Sequence, residues 1–152
     1  MAASSAFGGR VRLLAAIGAG GALGAAARYG TELAIPPKSG VYPVATFLVN
    51  IVGAVILGAI TALPSGWLAQ HDLTKPGIGT GFCGGLTTFS TMSLEIYQRL
   101  PGHSGLAVGY AAASLIAAPA CAWAGYALVQ AARSGGPGSR RAPPARASSG
   151  RP

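Results

Sequence analysis

Residues 81–93, with the sequence GFCGGLTTFSTMS, place three glycines and five hydroxyl side chains inside one apolar stretch. Glycine permits backbone angles that are closed to other residues, and Ser and Thr hydroxyls bond nearby backbone groups. We therefore expect a helix that is broken here, with Gly84 and Gly85 supplying the freedom. Carbonyls released by such a break can coordinate a cation, and the next half-helix N-terminus favours an anion. The pattern predicts an ion site built mainly from backbone.

Four more polar side chains lie in apolar surroundings, and each allows a structural and a functional interpretation: Arg28, Asn50, Tyr110 and Ser114. Arg28 is either an interfacial anchor or a cation that attracts an anion to a vestibule. Asn50 either bonds a neighbouring helix or donates its amide N–H to a passing anion. Tyr110 and Ser114, spaced i and i+4, share one helix face. They form either a polar track or a helix–helix hydrogen bond.

The elements that position these groups are membrane helices. Hydrophobic residues make up 51% of the 152-residue chain and charged residues 9%, whereas soluble domains average about 25% charged. A span needs roughly 20 apolar residues, and four stretches qualify: about Val11–Tyr29, Val44–Leu63, Gly77–Leu100 and Gly105–Ala131. We predict an all-α membrane protein with four transmembrane helices, the third broken near mid-membrane, in the cell membrane.

We predict that the two ends of the chain are tails that flank one membrane domain. Residues 1–10 form a short N-terminal tail, residues 11–132 the membrane domain, and residues 133–152 a second tail. That second tail is rich in Pro, Gly, Ser and Arg, so we expect disorder. It is suited to anionic lipid headgroups rather than nucleic acid, because no folded domain accompanies it.

The remaining signals favour packing over chemistry. Glycines in the first, second and fourth spans let helices approach closely in lipid. The run GAGGALG at residues 18–24 lacks the strand, sheet and acidic partner of a dinucleotide site. Cys83 and Cys121 are small packing residues. No nucleophile, base and orienting group converge, so the sequence does not indicate an enzyme. A proton-coupled carrier would need a titratable group in the path, and the candidate is Glu95, near the third span's end.

Four motifs together resemble the CrcB/Fluc fluoride channels. They are GGALGAAARYG in the first span, TFLVNIVGAVILG in the second, GTGFCGGLTTFSTMSLE in the third, and Tyr110-x-x-x-Ser114 in the fourth. The resemblance implies a passive, fluoride-specific channel that exports F⁻ from the cytoplasm and relieves fluoride toxicity. It also implies an antiparallel dimer with two narrow paths. A structural Na⁺ at the dimer centre would be held by the backbone carbonyls of Gly84 and Thr87.

The resemblance also assigns roles along the path. Asn50 matches the pore asparagine, Arg28 the vestibule arginine and Phe89 the first pore phenylalanine. Further pathway groups that the resemblance marks are Ser90, Thr91, Tyr110 and Ser114. One departure stands out, because the family's second phenylalanine is Met92 here, and methionine has no positive ring edge.

Met92 keeps two assemblies open. The chain forms either an antiparallel homodimer or a heterodimer with a paralogous subunit, in which case it is a non-conducting or partner-requiring subunit. Basic residues near the membrane are almost balanced between the two sides: Arg10, Arg12, Lys75 and Arg133 against Arg28, Lys38 and Arg99. The arginines of the tail tip this balance toward cytoplasmic termini, which favours an oppositely oriented paralogue.

Overall fold

The structure is a computed structural model that describes residues 2–38, 40–64 and 73–134. Within those ranges the chain is helical apart from short connections and contains no strand. Three stretches are long and apolar enough to cross a membrane: Phe7–Ala34, Val44–Thr61 and Pro76–Ser134. The expectation of an all-α membrane protein is thereby confirmed. The predicted tail lies outside the described residues from position 135 onward, as does the loop at 65–72.

Two helices precede the segment that carries the hydroxyl residues. Helix α1 is Ala2–Ala34 and helix α2 is Val44–Thr61. Helix α1 begins well before the predicted start near Val11, so the described part of the N-terminal tail is helical. The residues before Val11 are mostly Ala, Ser and Gly without a proline, and nothing in them stops a helix from continuing past the apolar stretch.

The long third stretch is interrupted twice. Helix α3, residues 76–86, is a π-helix at Pro76–Cys83 that continues as α-helix at Gly84–Leu86. Helix then resumes over Phe89–Ser134, with non-helical angles at Pro101, Gly102 and His103. Helix α4 is the part before this second interruption, residues 89–100, and α5 the part after it, residues 104–134. The π-helical start of α3 is not signalled by the sequence pattern.

The chain reverses direction between α4 and α5. Pro101 has ψ 114°, and Gly102 has φ +83°, a left-handed value that favours glycine. The Tyr110 hydroxyl lies 3.0 Å from a carboxylate oxygen of Glu95, although 15 residues of straight helix would separate them by roughly 22 Å. The gap that the sequence predicts between the third span, ending at Leu100, and the fourth, starting at Gly105, is confirmed as a turn at Pro101 and Gly102.

Helix α1 packs against α3 through backbone-to-backbone contact. A β-carbon added at Gly20 would overlap the carbonyl oxygen of Gly77, and one at Gly24 would overlap that of Phe82. In return, a β-carbon at Gly85 would overlap the carbonyl oxygen of Gly21. The interpretation of Gly20 and Gly24 as packing residues is confirmed, because a side chain at either position would force the two helices apart.

Helix α2 lies on the other side of α3 and α4 and also contacts α5. Thr46 meets Glu95 near its start and Asn50 meets Thr88 further on, so α2 and α4 run antiparallel. Toward its end, Gly58 fits against the backbone of Ala122. The candidate site therefore lies where α2, α4, α5 and the α3–α4 junction come together.

Candidate functional site

The predicted break is present at Thr87 and Thr88, between α3 and α4. Thr87 is extended, with φ −82° and ψ 155°. The predicted cause is wrong, however, because Gly84 has helical angles, φ −64° and ψ −36°. Positive φ occurs in the described residues only at Gly40 and Gly102. Gly85 serves the contact with α1 instead, so the glycine pair does not supply the freedom for the break.

Asn50 stabilises the break by hydrogen-bonding both the N–H and the carbonyl of Thr88. The Thr88 N–H donates to Asn50 Oδ1 at 2.8 Å, and Asn50 Nδ2 donates to the Thr88 carbonyl at 3.1 Å. In a continuous helix the Thr88 N–H would bond the carbonyl of Gly84. That donor is diverted to Asn50. The helix–helix bond that the sequence allowed for Asn50 is thus made to backbone.

Thr88 acts as the N-cap of α4. Its Oγ1 accepts the N–H of Thr91 at 3.1 Å, which is the bond that N-cap threonines make to the third helical residue. In a continuous helix that N–H would bond the carbonyl of Thr87. Both carbonyls that the resemblance marks for Na⁺, those of Gly84 and Thr87, therefore lose their usual helical donors.

The other hydroxyls of this stretch bond locally, as the sequence predicted. Thr87 Oγ1 donates to the carbonyl of Cys83 at 2.9 Å, and Ser93 Oγ to that of Phe89 at 2.9 Å. Thr88 Oγ1 donates to Thr91 Oγ1 at 3.0 Å and lies 3.3 Å from the Ser90 hydroxyl. These bonds satisfy polar atoms that water cannot reach in a membrane.

A cavity of about 360 Å³ lies beside the break, between α2, α4 and α5. It brings four of the predicted pathway residues together, namely Asn50, Phe89, Met92 and Ser114, with Phe47 on the same wall. Ser114 Oγ is buried and has no hydrogen-bond partner among the described residues. An unmet buried hydroxyl costs about 1–3 kcal/mol, so this O–H is a donor available to a ligand.

A second polar cluster surrounds Glu95 at the end of α4 toward the turn. Its side chain is only 7% exposed. Thr46 Oγ1 donates to one carboxylate oxygen at 2.9 Å, and the Tyr110 hydroxyl donates to the other at 3.0 Å. Of the two interpretations left open for Tyr110, the helix–helix bond is observed, while Ser114 faces the cavity.

Arg99 fastens the connection between α1 and α2 to this cluster. It is 5% exposed, and its guanidinium donates to the main-chain carbonyls of Val41 at 3.0 Å, Glu95 at 2.8 Å and Lys38 at 3.3 Å. Tyr42, in the same connection, packs edge-on against Phe47 and Tyr110. Burial raises the pKa of the Tyr42 phenol above its usual value.

Arg28 links α1 to the break. Its Nε donates to the carbonyl of Gly85 at 3.3 Å, and an Nη lies 3.4 Å from a carboxylate oxygen of Glu32. The side chain is about 30% exposed. Its charge is thus partly offset by a neighbour one turn along the helix.

Comparison with known proteins decides the family. A model of the family described as "CrcB-like protein, Camphor Resistance (CrcB)" matches residues 15–126. The chain belongs to the CrcB family. It is similar to a Mycolicibacterium paratuberculosis protein named fluoride-specific ion channel FluC 1, with 46% identity over 107 residues, 70% of this chain and 81% of the relative.

Two further relatives of this CrcB-family chain carry the name fluoride-specific ion channel FluC 2. The Bacillus subtilis protein is 44% identical over 109 residues, 70% of this chain and 79% of its own. The Streptomyces avermitilis protein is 39% identical over 112 residues, 73% of this chain and 71% of its own. The family places the chain among multi-pass proteins of the cell membrane and not among enzymes.

Three residues that shape this CrcB-family site are not identified by sequence reasoning: Thr46, Phe47 and Arg99. The i, i+4 spacing of Glu95 and Arg99, and Thr46 one turn before Asn50, are the available signals. They stay ambiguous because their partners, the connection between α1 and α2 and the facing helix α5, are distant in sequence. Ser90 and Thr91, also assigned to the path, line no wall of the cavity.

Proposed function

We propose that this protein is a fluoride-specific channel that lets F⁻ leave the cytoplasm passively and so relieves fluoride toxicity. The observation that carries the proposal is the cavity beside the break, where the unpartnered Ser114 hydroxyl shares a wall with Asn50. The names of the relatives support fluoride as the ion. An inside-negative potential drives the anion outward by about 2.3 kcal/mol per 100 mV.

The chemistry of the cavity suits a small anion that must bind and leave. Ser114 offers one O–H. Asn50 Nδ2 carries two N–H groups, of which one donates to Thr88. The ring edge of Phe89 is weakly positive. No ionised side chain is found among the described residues that line this cavity, so a bound anion meets partial charges and is not trapped by a full one.

For the assembly, we propose four membrane crossings per chain and an antiparallel dimer. The turn at Gly102 supports the count, since residues 76–100 and 104–134 then each exceed the roughly 20 residues that one crossing needs. Phe89 supports the dimer, because it is 72% exposed in one chain although it lines the cavity. Cross-linking in membranes, followed by mass determination, tests this; a protein that stays monomeric contradicts it.

We propose further that Na⁺ is held at the dimer centre by the carbonyls of Gly84 and Thr87. The support is that both carbonyls lose their helical donors at the break, and released carbonyls are suitable cation ligands. Na⁺ when bound would supply positive charge that fixes the two breaks together. Thr87→Ser should keep Na⁺-dependent thermal stability and Gly84→Leu should lose it. Stability independent of Na⁺ in the unaltered protein argues against the site.

The test of function is ion efflux from liposomes that hold only this protein. We expect fast F⁻ efflux and little Cl⁻ efflux, measured with ion-selective electrodes; equal rates for the two ions would overturn the assignment. If F⁻ efflux is absent, the alternative is supported: the chain is then a non-conducting or partner-requiring subunit. A C-terminal topology reporter then separates homodimer from paralogue: a mixed signal indicates dual insertion and a purely cytoplasmic signal an oppositely oriented partner.

A second candidate, a proton-coupled F⁻ carrier, is favoured by one observation. Glu95 is a buried carboxylate bonded to Tyr110, a residue assigned to the path. In the same liposomes a carrier would accumulate F⁻ against its gradient when a pH difference is imposed. We expect no such accumulation, and accumulation abolished by Glu95→Gln would establish the carrier instead.

A further inference from the structure

The cavity beside the break has two aromatic rings on its wall, Phe47 from α2 and Phe89 from α4. They differ in how far they are enclosed. Phe89 is 72% exposed in the single chain, whereas Phe47 is half-buried. Met92 lies on the same wall and is buried, but a thioether offers no positive edge to an anion. Phe47 is therefore the better enclosed of the two rings.

Phe47 is also held in place by its neighbours. Its ring packs edge-on against Tyr42, with centroids 5.5 Å apart and planes at 75°. Tyr42 packs in the same manner against Tyr110, at 5.2 Å and 79°. The Tyr110 hydroxyl is in turn bonded to Glu95. Two rings, those of Tyr42 and Tyr110, and the Glu95 carboxylate thus hold the ring of Phe47 in place, so it needs little reordering to meet an ion.

An anion that has lost its hydration water in such a cavity needs positive partial charge on every side that water no longer contacts. Ser114 and Asn50 supply polar hydrogens, and the C–H edge of a phenyl ring supplies a weaker positive rim. Met92 leaves one side of the wall without either. Among the described residues that line the cavity, the enclosed side chain with such a positive rim is Phe47.

We propose that Phe47 contacts fluoride through its ring edge and is an ion-contacting residue of this chain's path. The ring compensates for the missing ring at position 92, so a pathway with Met92 can still pass F⁻. This inference rests on the proposed fluoride channel and assigns it a residue on α2 that neither the break nor the resemblance marks.

The experiment measures F⁻ efflux from liposomes for the full chain and three variants: Phe47→Met, Met92→Phe and the double variant. Methionine keeps apolarity and approximate volume but removes the ring. We expect Phe47→Met to slow efflux about tenfold, in line with losing one aromatic contact. The double variant should recover to within about threefold of the unaltered protein, because Met92→Phe returns a ring to the same wall.

Controls separate ring chemistry from folding. Trp123→Met removes an exposed aromatic on α5 that does not line the cavity and should leave efflux unchanged. Monodisperse elution of each variant checks assembly. If the unaltered protein passes F⁻ and Phe47→Met passes it equally well, the inference fails while the channel stands. A loss in Phe47→Met that the double variant does not recover also overturns it, and an unaltered protein that passes no F⁻ removes both.

Discussion

The α3–α4 segment has two sides that are built in opposite ways. On the side of α1, Gly20, Gly24 and Gly85 bring backbone against backbone, and no side chain would fit between. On the side of α2 and α5, side chains bond across the gap and leave a cavity of about 360 Å³. The glycine side is packed without a gap, whereas the side of α2 and α5 keeps an open cavity.

This difference separates support from transport. A contact made by glycine on main chain has no adjustable part, so it fixes the position of α3 against α1. The opposite side carries the unpartnered hydroxyl of Ser114 and the hydrogen-bonded side chains of Asn50 and Glu95. Polar groups of this kind can bind a ligand. Substitutions on the glycine side should therefore change stability, and those on the cavity side should change ion flux.

The largest effect is expected on the cavity side, for Asn50→Asp. A carboxylate repels F⁻ by about 4 kcal/mol at 4 Å with an effective dielectric constant of about 20, so efflux should fall by more than about 100-fold. Aspartate can still accept the Thr88 N–H, so the break should persist. Ser93→Ala, which removes only a local bond, is the matched control. Unaltered efflux in Asn50→Asp would place the path elsewhere.

On the glycine side, Gly24→Val should destabilise the protein by about 1–3 kcal/mol or more, as overpacking does. Its β-carbon would overlap the carbonyl oxygen of Phe82. Gly18→Ala is the control, since a β-carbon there meets nothing within 4 Å. Thermal unfolding in detergent measures both. If Gly24→Val unfolds at the same temperature as Gly18→Ala, the backbone contact is not what stabilises this side.

The smallest effect is expected at the junction of the two sides, for Thr88→Val. It removes the cap on the Thr91 N–H and should cost about 1 kcal/mol, with a modest loss of efflux. Thr31→Val, at an exposed hydroxyl that bonds its own helix, should change neither quantity. Loss of all folded protein in Thr88→Val would mean that the break is held by this cap more than by Asn50.

The sequence predicted the break for a partly wrong reason. Five hydroxyls and the pair Gly84-Gly85 in an apolar stretch indicated interrupted helix, and the hydroxyls of Thr87, Thr88 and Ser93 do bond local backbone. Gly84 is nevertheless helical, because what ends α3 is the diversion of the Thr88 N–H to Asn50, a residue 38 positions away. Local composition indicates that a helix can break there, but the partner that stabilises the break comes from another helix.

Composition, span length and the four motifs were sufficient to determine the class of protein, the turn at Pro101-Gly102 and the family, because these depend on patterns within one segment. Which residues face the cavity depended on tertiary structure. Phe47 and Met92 share a wall, Tyr110 bonds Glu95, and Arg99 bonds carbonyls of the connection before α2. These pairings follow from how α2 and α5 lie against α4, and close packing of distant segments sets that arrangement.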